Sequence, residues 1–437
     1  MLVIAYIAFV ILLFIGIVIG KQAWQSRLHG VVIINATFIE FQWTYFFPYF
    51  LALIAEWLQG PYLYKLYDDY GFVDPYIGII YVCGYCSSIL FGAYTGILID
   101  NWGRKKVCIL FTILYSLSCI ANISKNFAVL CLGRIIGGAS TGLLFSAFDA
   151  WYVYEHMQIH KFPYEWLEDT FSKATFFNSI IAISAGFFAN LLTEWLDVGA
   201  VAPFLLAVPC LCASAILIQL TWSENFGTST RGCKSCMDSL KVIFTTPGIF
   251  LIGSVQAMFE SVMYIFVFLW TPVLQPADPP LGIVFSCFMC SIWIGGIIFT
   301  NLIKKDIQPT IIVLFVVYGV MLTNFLAALA SANHPRTSFL LFLVTEILCG
   351  IYFPAMGSLR SKWLPPALHS DIMNLFRVPL NIIASAVLLI LHDSHSPHGI
   401  TQMFLLNSAL LLCGGIFSVL LHFQYTNDEK KDEFQIE

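Results

Sequence analysis

Charge is what this chain has least of. Only 11% of its 437 residues are Asp, Glu, Lys or Arg, against about a quarter in soluble domains. That scarcity excludes the two or three soluble domains into which a chain of this length would otherwise divide. The loops also lack the furniture of catalysis. No phosphate-cradling glycine loop, nucleophile elbow or metal constellation occurs in them, so neither an enzyme nor a resident cofactor or metal is expected. No nucleic-acid partner is expected either. No cleavable leader is expected either. The apolar run 2–20 has no cation before it and no small-residue cleavage site after it, and Lys21 and Arg27 follow. It reads as a retained anchor. Cysteine is not scarce, at 13 residues, but most lie inside apolar runs, where Cys behaves as a small hydrophobe rather than part of a disulfide framework. The Cys83/Cys86 and Cys287/Cys290 pairs read as mid-helix packing residues. Cys233 and Cys236, in a polar stretch, make at most half a zinc site.

What is abundant is long apolar sequence, 59% of residues being hydrophobic. After the anchor, runs of about 20 residues, each long enough to span lipid, lie near 43–62, 76–99, 107–123, 127–152, 172–195 and 201–222. Six more lie near 247–270, 281–303, 309–331, 338–358, 371–392 and 400–422. Backbone amides in hydrocarbon must be satisfied within the segment, so the spans are helices. The expected organisation is an anchor and linker (1–42), a six-helix bundle (43–222), a cytoplasmic loop (223–246), a second bundle (247–423) and a cytoplasmic tail (424–437) whose charged residues 428–437 are expected to be disordered. Charge orients this array. Of the 21 Lys and Arg, alternation places sixteen inside, Arg360 among them, and three outside, at Lys65, Lys125 and Arg336, while Arg134 and Arg377 fall within helices. The positive-inside rule then puts the N-terminus outside and the C-terminus in the cytosol. The sequon Asn35-Ala-Thr37 would lie in the cytosol, unused.

One loop sets the numbering of all these helices. Gly96-Ile-Leu-Ile-Asp100-Asn-Trp-Gly103-Arg104-Lys105-Lys106 separates two apolar runs. Gly103 can supply the positive φ of a tight turn. The order Gly-x-x-x-Asp-x-x-Gly-Arg-Lys resembles the loop between the second and third helices of the major facilitator superfamily. Gly133-Arg134 through Gly142 resembles that superfamily's Arg-x-x-x-Gly pattern, whose small residues allow close helix approach. The resemblance implies an all-α membrane protein of major facilitator fold with two six-helix bundles, to which the count of apolar runs adds one extra N-terminal transmembrane helix. Internal repetition agrees. An offset of 204 pairs Glu56 with Glu260, Gly78 with Gly282 and Cys83 with Cys287, and an offset of 212 pairs Arg134 with Glu346, Gly138 with Gly350 and Trp151 with Trp363, as expected of two parallel repeats. The matching loop of the second half, Asn301-Leu-Ile-Lys-Lys-Asp306, has decayed.

Charge inside a bilayer is expensive, and by default functional. Counted from residue 43, the first, fourth, seventh and tenth helices carry Glu56, Arg134, Glu260 and Glu346. In the superfamily these helices line the central cavity, so the four groups are expected to share one polar pocket. Arg377 lies on the eleventh helix. Asp149, at the inner end of the fourth, is expected to pair with the cytoplasmic cations. Gly96, Asp100, Gly103, Arg104, Lys105 and Asp149 form the expected gating set.

Several strings resemble a narrower group. They are Glu56-Trp-Leu-Gln-Gly-Pro-Tyr-Leu-Tyr-Lys-Leu-Tyr67, Ser146-Ala-Phe-Asp-Ala-Trp-Tyr152, the stretch Phe259 to Pro272, Cys349-Gly-Ile-Tyr-Phe-Pro354, Phe376-Arg-Val-Pro-Leu380 and Leu391-His-Asp-Ser394. Together they resemble the molybdate-anion transporter family of major facilitators. The resemblance implies high-affinity uptake of molybdate across the plasma membrane, and a monomer is expected. It brings no assigned binding residues. From chemistry, a planar guanidinium suits a tetrahedral oxyanion, which makes Arg134 the first candidate ligand and Arg377 the second. Glu56, Glu260 and Glu346 are candidates for carrying co-transported protons. Two other readings stay open: a facilitator of a cationic or neutral solute, and a membrane scaffold or sensor that transports nothing.

Overall fold

The computed structural model describes residues 1–28, 35–227, 233–330, 334–365, 368–390 and 397–436. Side chains at 22–28, 93, 233–236, 370, 397–398 and 428–436 are not described. The chain is built from helices: α1 (Leu2–Leu28), α2 (Ala36–Gln59), α3 (Leu63–Asp69), α4 (Asp74–Trp102), α5 (Arg104–Ala121), α6 (Phe127–Tyr154), α7 (Glu165–Asn190), α8 (Ala202–Thr221), α9 (Cys233–Thr245), α10 (Pro247–Leu274), α11 (Leu281–Ile303), α12 (Pro309–Ala330), α13 (Pro335–Trp363), α14 (His369–Ile390) and α15 (Pro397–Ile436). Local chemistry sets many of the ends. Proline opens α10, α12, α13 and α15, where its missing N–H is no loss. Asn35 caps α2 by accepting from the Phe38 amide at 3.0 Å, so the sequon asparagine has a structural task. Asn126 caps α6 in the same way, through the Ala128 amide at 2.9 Å.

Among the described residues, eleven helices are long and apolar enough to cross a membrane. Two helices expected to span, α2 and α5, do not meet that measure. Glu40, Gln42, Glu56 and Gln59 interrupt α2, and α5 opens on Arg104, Lys105 and Lys106. The 24 residues of α2 still reach about 36 Å, enough for a hydrocarbon layer of about 30 Å. Two segments expected as loop or disordered tail are helical. The central loop contains α9. The tail continues α15 to Ile436, because Glu and Lys are good helix formers and extending an existing helix needs no new nucleus.

The chain divides into two compact units. One comprises Trp24–Arg231 with Pro280–Ser286, the other Met1–Ala23, Gly232–Pro279 and Cys287–Glu437. In the first, Trp151 and Trp222 stack with ring centroids 3.7 Å apart, and Ser214 of α8 donates to the Pro48 carbonyl at 2.8 Å. That bond engages a backbone group next to the kink-prone proline of α2. In the second, Phe259 of α10 stacks on Tyr352 of α13 at 3.8 Å. Here α1 also docks on α11. Gly16 and Gly20, one turn apart, face the Trp293 ring so closely that a Cβ on Gly16 would lie 2.5 Å from it. Each unit contains one glycine-mediated crossing at a repeat-matched position. A Cβ on Gly138 would collide with the Gly84 carbonyl between α6 and α4, and one on Gly350 with the Ile292 carbonyl between α13 and α11. Only glycine permits backbones to approach that closely.

Candidate functional site

In the first unit the glycine row of α6 places Arg134. A Cβ on Gly133 would lie 2.6 Å from Ala121, and one on Gly137 2.7 Å from the Ser118 hydroxyl. Ser118 donates to the Gly133 carbonyl at 2.8 Å. These contacts press α6 against α5 and α4, so the Arg134 guanidinium has nowhere to go but between them. Its carbon lies 5.9 Å from the centroid of the Tyr81 ring, within cation–π range. Tyr67, Tyr81, Tyr85 and Tyr115 are its electrostatic neighbours, and Glu56 interacts with it from α2. The Tyr115 hydroxyl hydrogen-bonds the Glu56 carboxylate. Among the described residues, Nε of Arg134 and Oε2 of Glu56 are buried without a hydrogen-bond partner. An orphaned charged donor in a low-dielectric setting is costly, and an oxyanion is the ligand that would relieve it.

The second unit holds a different centre. Gln256 and Glu260 share a face of α10, one turn apart, and Gln256 donates to Glu260 at 3.2 Å. Arg360 of α13 donates to the Gln256 amide oxygen at 3.2 Å and lies 3.9 Å from the Glu260 carboxylate. Arg377 of α14 acts electrostatically on Glu260. The Tyr352 hydroxyl is buried without a hydrogen-bond partner and interacts with both Glu260 and Arg360. Glu346 stands apart from this group. It is 6% exposed, its Oε2 has no hydrogen-bond partner, and its electrostatic neighbour is the Cys349 thiol. The four groups expected in one pocket therefore fall two to each unit, and Glu260 and Glu346 do not meet within theirs.

The loop after α4 is tied down by residues beyond α8. Gly103 has φ of +98°, the left-handed backbone that glycine tolerates. The Lys105 amide donates to Glu224 at 3.0 Å, so a carboxylate sits at the positive end of α5. Arg104 donates to the Asn225 side chain at 3.3 Å, lies 3.8 Å from Asp100 and faces the Tyr154 ring at 5.0 Å. Asn225 in turn donates to Glu155 at 2.9 Å, and Ser223 donates to the same oxygen at 2.6 Å. Lys105 Nζ reaches the Gln219 carbonyl at 3.0 Å. Gly96 is half-buried within α4. Asp149 does not pair with these cations. It accepts from the Tyr45 hydroxyl of α2 at 2.7 Å. Glu155 is the acid that joins the loop network.

Sequence reasoning missed Arg360, Gln256 and Tyr352 at the second centre, and Glu155, Glu224 and Asn225 at the loop. The four-residue spacing of Gln256 and Glu260 was the available signal at the former. At the latter it was the polar string Ser223-Glu-Asn225 directly after an apolar run. Leu391-His-Asp-Ser394 lies outside the described residues, as do the side chains of Cys233 and Cys236.

Each unit is a bundle of long apolar helices with a charged centre, the architecture of a polytopic membrane protein, and the relatives of the chain are transporters rather than enzymes. A family profile described as sugar transporters with twelve transmembrane helices matches residues 8–341. The molybdate-anion transporter of Xenopus tropicalis is 41% identical over 437 residues, covering 98% of this chain and 97% of its own length. That of Takifugu rubripes is 40% identical over 432 residues, covering 91% and 89%. Among solved structures, the nucleoside transporter NupG superposes with a TM-score of 0.64 at 15% identity, covering 89% of this chain and 98% of NupG. That likeness supports the fold alone. The chain belongs to the molybdate-anion transporter family of the major facilitator superfamily.

Proposed function

We propose that this chain takes up molybdate across the plasma membrane by alternating access, as a monomer, with Arg134 and Arg377 reading the oxyanion. The observation that carries the reading is the buried Arg134 guanidinium, whose Nε has no hydrogen-bond partner, in a chain about 40% identical to named molybdate-anion transporters over nearly its full length. Both arginine centres lie within a single chain, so a monomer suffices. Molybdate is a dianion. Moving two negative charges inward against roughly 60 mV costs about 2.8 kcal/mol, which two co-transported protons would cancel. Glu56, Glu260 and Glu346 are the carriers available. Glu346, on which no cation acts among the described residues, suits that task because an isolated carboxylate is poorly tolerated in hydrocarbon. The cation bias of the loops supports an outside N-terminus and a cytoplasmic C-terminus. A tag before Met1 should then be reached only from outside and one after Glu437 only from the cytosol. Both tags on one side would remove α1 from the membrane count.

The test is uptake competition. Cells expressing the chain should accumulate labelled molybdate above control cells, and excess tungstate should suppress it while an organic cation should not. Suppression by the organic cation, or uptake of that cation in place of molybdate, would instead support the cationic-solute reading.

A further inference from the structure

The Arg360 centre has a composition that an ion-pair brace does not need. A brace requires one cation and one acid. Here two guanidiniums, Arg360 and Arg377, act on the single carboxylate of Glu260. The Arg360–Glu260 contact is loose, at 3.9 Å, and both side chains keep some exposure, 18% and 17%. A well-made guanidinium–carboxylate pair closes to about 2.8 Å. Beside them the Tyr352 hydroxyl is buried and unpartnered, its ring fixed by stacking on Phe259. Three helices, α10, α13 and α14, thus converge on two forked cations, one idle hydroxyl donor and one acid.

We propose that Arg360, Arg377 and Tyr352 form a binding site for a tetrahedral oxyanion dianion, and that Glu260 is the internal counter-ligand which the anion displaces and which takes up a proton from solvent as it is displaced. The inference rests on the transport reading above and assigns Arg360, which sequence counts as a topology signal, to the anion path. The charge arithmetic follows from the residues. Two guanidiniums and one carboxylate sum to a single positive charge. A dianion would leave the centre negative, and adding one proton to Glu260 restores neutrality. The carboxylate and the anion compete for the same donors, so each bound anion makes the protonated acid the favoured form. The charged and titratable groups acting on Glu260 are Arg360 from α13, Arg377 from α14, Tyr352 from α13 and Tyr264 from its own helix. Among the described residues none comes from α9 or α15. His369, at the start of α14, lies near Arg360, and burial together with that cation pushes its pKa down, which disfavours a further positive charge there. The Gln256 amide bridges Arg360 and Glu260 and holds the guanidinium within reach of both partners.

The experiment titrates purified full-length protein in detergent with molybdate and with sulfate by calorimetry, across neutral pH and in buffers of different ionisation enthalpy. Wild-type binding should weaken by about tenfold per pH unit where one proton is linked, and the buffer dependence should report close to one proton taken up per anion. Arg360→Lys keeps the charge but loses the fork and should bind about ten- to a hundredfold more weakly. Glu260→Gln removes the competitor and should bind at least as tightly as wild type, with the linked proton gone. If Arg360→Lys does not fold, the wild-type proton count and Glu260→Gln still decide. Wild-type binding without proton uptake, Arg360→Lys binding as tightly as wild type, or Glu260→Gln still taking up the linked proton, overturns this site and leaves the transport reading standing. Wild-type protein that binds neither anion overturns the transport reading and the site with it.

Discussion

Replacing Arg134 with lysine keeps the charge and removes the planar fork. The guanidinium lies against α4, near Gly84, with its carbon 5.9 Å from the Tyr81 ring centroid and its Nε without a hydrogen-bond partner among the described residues. A tetrahedral oxyanion arriving there can accept two parallel N–H bonds from one edge of the guanidinium. A lysine ammonium, a compact point charge, offers one bond in the same direction. Losing one charge-assisted hydrogen bond, at about 1.5–3 kcal/mol, corresponds to about ten- to a hundredfold in affinity. The glycine contacts that position α6 are untouched by this change, so the ligand-free melting temperature should move little. The assay is molybdate titration of purified Arg134→Lys beside wild type, followed by intrinsic fluorescence, since Tyr67, Tyr81, Tyr85 and Tyr115 surround the site. Normal binding and normal transport by Arg134→Lys would refute the reasoning. Arg134 would then be a brace for Glu56, and the anion-reading role would pass to Arg377 and its neighbour Arg360.

Glu56→Gln mimics a protonated carboxyl and keeps the Tyr115 contact, so molybdate binding should survive while the pH dependence of uptake flattens; an unchanged pH profile would remove Glu56 from proton coupling. Asp100→Asn and Arg104→Ala should slow turnover several-fold with near-normal surface expression, and Glu224→Gln, which weakens the charge at the start of α5, should do the same. Wild-type uptake rates in all three would reduce the loop to a topology signal.

Much of this was legible because it depends on local rules. The positions of the long helices follow from apolar run length, although α2 and α5 fall short of the spanning measure and the shorter α3 and α9 have no such run. Gly103 was readable as a positive-φ turn because a Gly between a helix end and a cation run has few other uses. Gly138 and Gly350 were readable as repeat partners because close helix crossings demand glycine wherever they recur. Contacts over long sequence separation were not legible. Asp149 was assigned to the nearby cations, yet its partner Tyr45 is on α2, and no local pattern links the two. Arg360 was counted as a cytoplasmic cation because it lies three residues from the end of α13. Helical side chains lean toward the N-terminus, and a long one carries its charge more than a turn deeper, which is how Arg360 reaches Glu260. The charged tail was read as disordered from composition, which does not register that α15 is already nucleated upstream.

The most direct measurement of the central claim is molybdate flux through purified protein in sealed liposomes under an imposed pH gradient, acidic outside. The account predicts labelled molybdate accumulation that depends on the gradient, collapses with a protonophore and falls at least tenfold in Arg134→Lys. Liposomes that take up no more molybdate than protein-free controls, with protein shown to be folded and inserted, would contradict it.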